Sequence, residues 1–157
     1  MKYYGIDYLE TLIKILSKNY QYIILDAGNN IQYGLSVSAL KYGEERYYIL
    51  TQQEKSIRRF KNLMQSVLNL MEYSGKIIIN KFNNNIAFYS QKQIEEIFQV
   101  KDSYVINYIE YGWQAELDRD TLLKYPKFAE GIKIIVNDIL CEMPQDIIKK
   151  PLFKRYG

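Results

Sequence analysis

Short, continuous apolar runs alternating with segments of helical spacing predict a three-layer α/β sandwich with a mainly parallel sheet. The first sign is order: strand and helix signals alternate along the chain, as in successive βαβ units. The second is the character of the apolar runs. Tyr22-Ile23-Ile24-Leu25, Tyr47-Tyr48-Ile49-Leu50 and Ile77-Ile78-Ile79 have no polar alternation, so each reads as a strand, with Tyr22–Leu25 covered on both faces as in a parallel sheet. The third is size. At 157 residues and 48% hydrophobic, the chain suits one domain, 1–157, with a single core. Residues 143–157 form a basic C-terminal tail.

The elements follow in order. Asp7 and Glu10 resemble a capping box, and Tyr8, Leu9, Leu12, Ile13 and Leu16 recur at helical spacing, predicting an amphipathic helix over 7–18. The first apolar run then ends at Asp26. Gly28, Asn29 and Asn30 mark a loop over 27–33, and a short helix over 34–41 stops near Gly43. Tyr47–Leu50 is the next strand. A long helix over 51–73 carries Ile57, Phe60, Met64, Val67 and Met71 on one stripe, with Gly75 at its expected stop. A strand lies within 76–81, a loop at Asn83-Asn84-Asn85, and Ser90 caps a helix bearing Ile94, Ile97 and Phe98. A fourth strand falls within Ser103–Ile109 and a helical turn at 114–123. Pro126 opens a last helix to about residue 141, with Phe128, Ile132, Ile135, Val136 and Ile139 inward, and Pro144 ends it. Right-handed crossovers place helices on both faces of such a sheet.

Composition removes several classes of function. Twenty-one basic residues against 18 acidic ones leave a net charge of +3, too small a field to imply nucleic acid or an anionic membrane. Cys141 is the one cysteine, so no disulfide forms within the chain, which fits a cytoplasmic location. With no histidine, the commonest general base is missing, and a lone cysteine builds no zinc site. MKYYGIDYLETL has no apolar core of a signal peptide, and no apolar run approaches the roughly 20 residues that span a bilayer.

Two strand ends could carry chemistry. In YIILDAGNN, residues 22–30, a buried strand delivers Asp26 to the carboxyl end of the sheet, where open α/β sheets bind ligands. An aspartate there can hold a magnesium-bound water, with a small-residue loop beyond it to sense a phosphate. It can equally cap its own turn. In KIIINKF, residues 76–82, Asn80 presents a planar amide with one acceptor and two donors, suited to the edge of a purine or to capping a loop.

The order of these segments resembles the C-terminal half of the ParA/MinD-type P-loop ATPases, including the CpaE-like branch associated with pili and secretion. YIILDAGNN, YYILTQQ, SIRRFKNLMQSVL, IIINKF, VINYIEYG and KYPKFAEGIKIIVNDIL follow the family's sequence of elements over about residues 7–141. The resemblance implies a P-loop NTPase-like fold. It makes Asp26 the switch II carboxylate near magnesium, Gly28 the small residue approaching the γ-phosphate, and Asn80 the adenine contact with Lys81 in the usual basic position. It implies a nucleotide-dependent dimer switch in positioning, partition or secretion machinery. Three features depart from the family pattern. Ile106 is followed by Asn107 where the family commonly has Ile-Pro. Switch II reads Asp-Ala-Gly where Asp-Thr/Ser-Pro is frequent. And nothing matches the glycine-rich Walker A loop, G-x-x-x-x-G-K-[ST].

That last departure decides the expected activity. Phosphoryl transfer depends on positioning and electrostatic stabilisation, and the Walker A loop supplies much of both. The Walker A strand and loop being absent, no catalytic residue is assigned to this chain alone, and ATP and magnesium are expected cofactors only where a Walker A segment is supplied. The alternative is a non-catalytic protein-interaction module that keeps the fold. A protein partner or self-association is expected. DNA enters through Lys55, Arg58, Arg59 and Lys61 on the long helix, since such patches can meet phosphates. The tail, Ile147 to Phe153 among lysines, faintly resembles a membrane-targeting tail, but Pro151 interrupts it and a packed or solvated tail is the expectation. Trp113 is a candidate partner anchor or half-buried core, and Cys141 a small buried hydrophobe.

Overall fold

In the computed structural model, the structure describes residues 6–30, 33–68, 74–85 and 88–141. The tail, Pro144 and Met71 lie outside them, as do the side chains of Asp7 and Cys141. The chain divides into two compact units, Met1–Tyr47 with Leu63–Gly75, and Tyr48–Asn62 with Lys76–Gly157.

The first unit contains helices α1 (Ile6–Leu16) and α2 (Gly34–Tyr42), which pack on each other. The Asp7 side chain of the expected capping box lies outside the described residues. Glu10 accepts from Lys14 Nζ one turn on (2.5 Å) and from the Tyr42 hydroxyl (2.8 Å), joining the two helices. The lysine first and the tyrosine second hold the Glu10 carboxyl below its ordinary range. Leu9 is buried, while Tyr8 and Leu12 of the predicted stripe are exposed.

One predicted strand is absent. Residues 22–28 have no regular secondary structure, and Ile24 is 95% exposed. The sequence pattern promised burial on both faces. An apolar run becomes a strand only when a neighbour pairs its backbone, and among the described residues Tyr22–Leu25 belongs to no ladder.

The second unit is built on a three-stranded sheet in the order β1 (Tyr47–Leu50), β2 (Lys76–Phe82), β3 (Ser103–Asn107). Strands β2 and β3 run parallel, with Ile77 opposite Ser103 and Ile79 opposite Val105. Ile77, Ile78 and Ile79 are 1%, 6% and 0% exposed. Side chains alternate across a strand, so burial of all three means both faces of β2 are covered, as in a parallel α/β sheet. The parallel α/β class holds with these three strands.

Helices α3 (Glu54–Leu63) and α4 (Gln91–Phe98) pack together through rings. Phe60 lies 4.9 Å from Phe98, edge to face, and 5.2 Å from Tyr48 of β1, centroid to centroid. The predicted 51–73 helix is regular only over α3; Met64–Leu68 widens into a π-type turn. Helix α4 begins with the Ser90 cap, completed as a reciprocal box by Gln93. After β3 come the short α5 (Gly112–Leu117), a 3₁₀ turn at Leu122–Lys124 and α6 (Pro126–Cys141). Ile135 is buried, but Val136, expected inward, is 44% exposed.

Strand β3 forms one edge of the described sheet, and side chains of α4 occupy its backbone at Ser103. Glu95 accepts from both the backbone N–H (3.0 Å) and the hydroxyl (2.8 Å) of Ser103, and Gln91 donates to the Ser103 carbonyl (3.1 Å). Helix α6 closes on the same strand at Gly131. A Cβ there would stand 2.6 Å from the Val105 carbonyl oxygen and 3.3 Å from Ile106 Cα. Lys76 bonds Asp138 at 2.7 Å, tying the start of β2 to α6. Edge strands covered in this way do not recruit stray strands.

The contact at Gly131 gives a first prediction. Gly131→Ala should destabilise the protein by about 1–3 kcal/mol, because backbone and not a movable side chain meets the new methyl group. The thermal midpoint should fall by about 2–4 °C per kcal/mol. A midpoint unchanged from the parent in differential scanning calorimetry would show that α6 does not approach β3 this closely.

Candidate functional site

Parallel strands end side by side, so the residues leaving their carboxyl ends converge on one rim. Here Phe82, closing β2, accepts through its carbonyl from the Tyr108 N–H just beyond β3, at 2.8 Å. Asn80, Lys81, Asn83 and Asn107 gather at this end of the pair.

Asn80 and Lys81 occupy a bulge. Ile79 faces Val105 and Phe82 faces Asn107, so two residues of β2 oppose the single Ile106 of β3. Lys81 takes a left-handed backbone, φ 55°, a conformation unfavourable for a residue with a Cβ. The Asn80 side-chain oxygen accepts from the Lys81 N–H at 2.8 Å, holding the kink in place. Asn80 therefore spends its acceptor locally, while its two amide donors enter no bond among the described residues. The Lys81 side chain is exposed. Backbone strain of this kind concentrates at binding and switch sites.

A residue the sequence did not single out organises the loop beyond the bulge. Gln52, just after β1, is 4% exposed. Its side-chain oxygen accepts from the Asn83 N–H (2.7 Å), and its amide nitrogen donates to the Tyr89 carbonyl (2.9 Å). One buried amide thus brackets both ends of the loop between β2 and α4. Beside it the Tyr89 hydroxyl donates to Glu54 at 2.5 Å, and the carboxylate raises the tyrosine pKa. Gln52, Glu54, Phe88, Tyr89 and Gln93 line an open hollow of about 390 Å³. The signal available in sequence was a polar pair, Gln52-Gln53, one residue beyond an apolar strand.

Asp26 and Gly28 lie in the other unit and form a turn of their own. The Asp26 carboxylate accepts from the Gly28 N–H at 2.8 Å, and Gly28 has φ +64°. Nothing lies within 4 Å of where a Gly28 Cβ would be, so the glycine serves the backbone angle and not a close approach. This is the turn-capping role open to a strand-ending aspartate. Asn107, where the resemblance expected proline, donates to the Lys127 carbonyl at 3.5 Å. Trp113 is 59% exposed, so it is not half-buried core. Among the described residues no group of three or more Cys, Asp or Glu is placed to hold a metal, and no helix is long and apolar enough to cross a membrane.

No protein-family model matches the sequence, and no curated protein matches it. Solved structures do match in fold. The MinD cell division protein of Aquifex aeolicus superposes with a TM-score of 0.72 at 18% identity, covering 92% of this chain and 64% of that one. A MinC:MinD cell division protein complex from the same organism gives a TM-score of 0.69 at 22% identity, over 98% of this chain and 63% of the matched chain. The fold is therefore MinD-like, of the P-loop NTPase type, and the chain spans less than two thirds of the length of these neighbours.

The Gln52 bracket is testable. Gln52→Ala leaves the Asn83 N–H and the Tyr89 carbonyl without their buried partner and should cost about 1–3 kcal/mol in urea unfolding. Amide exchange should quicken at Asn83 before the strands are affected. Parent-like exchange at Asn83 would mean that the loop is held by something else.

Proposed function

We propose that this chain is a ParA/MinD-like ATPase-family domain, or the switch-bearing part of one, serving a nucleotide-dependent switch in positioning, partition or pilus and secretion machinery. The observation that carries this reading is the MinD-like fold together with a strained Asn80–Lys81 bulge at the carboxyl rim, where such folds take ligands. In this reading the free amide donors of Asn80 meet the ring nitrogens of adenine, and Lys81 supplies positive charge at the same edge. Asp26 and Gly28 act as the switch, near magnesium and the γ-phosphate. The CpaE-like branch remains part of the proposal.

The chain is not catalytically self-sufficient in this account. Within residues 1–157 there is no glycine-rich turn to wrap a triphosphate, and hydrolysis depends on such a grip. When bound, ATP and magnesium supply the phosphoryl group and the charge that neutralises it; this chain's own residues hold the base and sense the phosphate end. A protein partner or a second copy completes the switch. The neighbour solved as a MinC:MinD complex supports a protein partner for the fold. DNA is a weaker candidate and a membrane weaker still, and a cytoplasmic setting fits the single cysteine. The missing phosphate loop also favours a second reading, an interaction module that keeps the fold and docks without nucleotide.

Titration with adenine nucleotides separates the two. Base recognition without a phosphate grip predicts weak binding, with Kd about 1 mM, and similar amide shifts at Asn80 and Lys81 for Mg·ATP and for AMP. Asn80→Ala should abolish those shifts, and no turnover should be measurable. No shift with either nucleotide would leave the interaction module. ATP binding far tighter than AMP would contradict the absence of a phosphate grip.

A further inference from the structure

Helix α3 presents a basic face that makes no ion pair among the described residues. Lys55, Arg58, Arg59 and Lys61 are all exposed, and they are linked by steps of three and four residues, so their side chains are neighbours on the helix surface. The helix contains one acid, Glu54. It stands one turn before Arg58, where an ion pair would ordinarily form. The Tyr89 hydroxyl holds that carboxylate at 2.5 Å instead, and no ion pair between Glu54 and Arg58 occurs among the described residues. Elsewhere lysines meet acids one turn away, Lys14 with Glu10 and Lys124 with Asp120. The opposite face of α3 is fixed, with Ile57 4% and Phe60 8% exposed and the Phe60 ring wedged between Tyr48 and Phe98. The cations are thus displayed from a helix that cannot roll.

We infer that this face of α3 docks an acidic helix of a partner protein, one carrying carboxylates at three- and four-residue spacing. Residues 55–61 span about 9 Å of helix axis, matching two turns of such a partner, and arginine forks pair with carboxylates in two bonds at once. The extent of the patch favours a short acidic cluster over a long polyanion. Helix α4, packed beside α3, carries Glu96 exposed, and the whole chain has a net charge of only +3, whereas nucleic-acid surfaces are usually strongly basic. A contact this small forms a transient interface whose association is steered by charge. The inference stands on charge and geometry, and it holds whether or not nucleotide binds.

The test uses a fluorescein-labelled alanine-rich peptide with glutamates at those spacings, its glutamine counterpart, a 20-base-pair DNA duplex and phosphatidylserine vesicles. The full chain should bind the glutamate peptide in preference to the other three, and binding should weaken as salt rises. Arg58→Glu with Arg59→Glu should reduce that affinity by about tenfold or more, as should Lys55→Glu with Lys61→Glu, while Lys133→Glu on α6 should not. Circular dichroism and the melting midpoint should match the parent in all three variants. Equal binding of the glutamine peptide, stronger binding of duplex or vesicles, or indifference to both α3 double reversals would overturn the inference.

Discussion

The parallel ladder between β2 and β3 is the constraint from which the rest of the second unit follows. Full burial of Ile77, Ile78 and Ile79 fixes β2 as an interior strand, and an interior strand admits only one register, because a slip of one residue reverses both faces. With the register set, the two carboxyl ends are set too. The extra residue that β2 carries has nowhere to go but a bulge, and the bulge turns Asn80 and Lys81 out of the ladder at the rim. The pieces around it serve that geometry: Asn80 pins the kink, Gln52 brackets the loop, and Glu95, Gln91 and Gly131 occupy the outer strand.

Much of this was legible in sequence, for a physical reason. Continuous apolar runs mark strands, and β1 and β2 appeared where that signal lay, although only β2 is covered on both faces and Ile49 of β1 is 68% exposed. The Ser90 cap and the proline at the start of α6 are local signals that need no tertiary context, and the structure has both. The same logic failed at Tyr22–Leu25, where the pattern is as apolar as that of β1. Burial is encoded in such a run, but pairing belongs to a second segment, and Ile24 stands exposed where no ladder forms. Val136 failed more mildly, since helical spacing gives a stripe and only packing gives its width.

The candidate site was half visible. Asn80 was visible because a polar residue closing an apolar strand is out of pattern, and Lys81 only through the family resemblance. Their bulge was not, since it exists only in the register against Ile106. The importance of Gln52 comes from two backbone groups distant in sequence, at Asn83 and Tyr89, which no local pattern announces. Gly131 carries no local signal within its helix. Its meaning is the 2.6 Å between an absent methyl group and the Val105 carbonyl. The Asp26 carboxylate accepts from the Gly28 N–H and closes its own turn.

The central claim, that a parallel pair of strands ends in a kink at Asn80 and Lys81, can be measured in solution. Interstrand nuclear Overhauser effects and the Lys81 backbone coupling constants test it directly. The account predicts parallel contacts of Ile77 with Ser103 and Ile79 with Val105, a two-against-one step before Phe82 meets Asn107, and a positive φ at Lys81. Antiparallel contacts, or an unbroken ladder through residues 80 and 81, would contradict it.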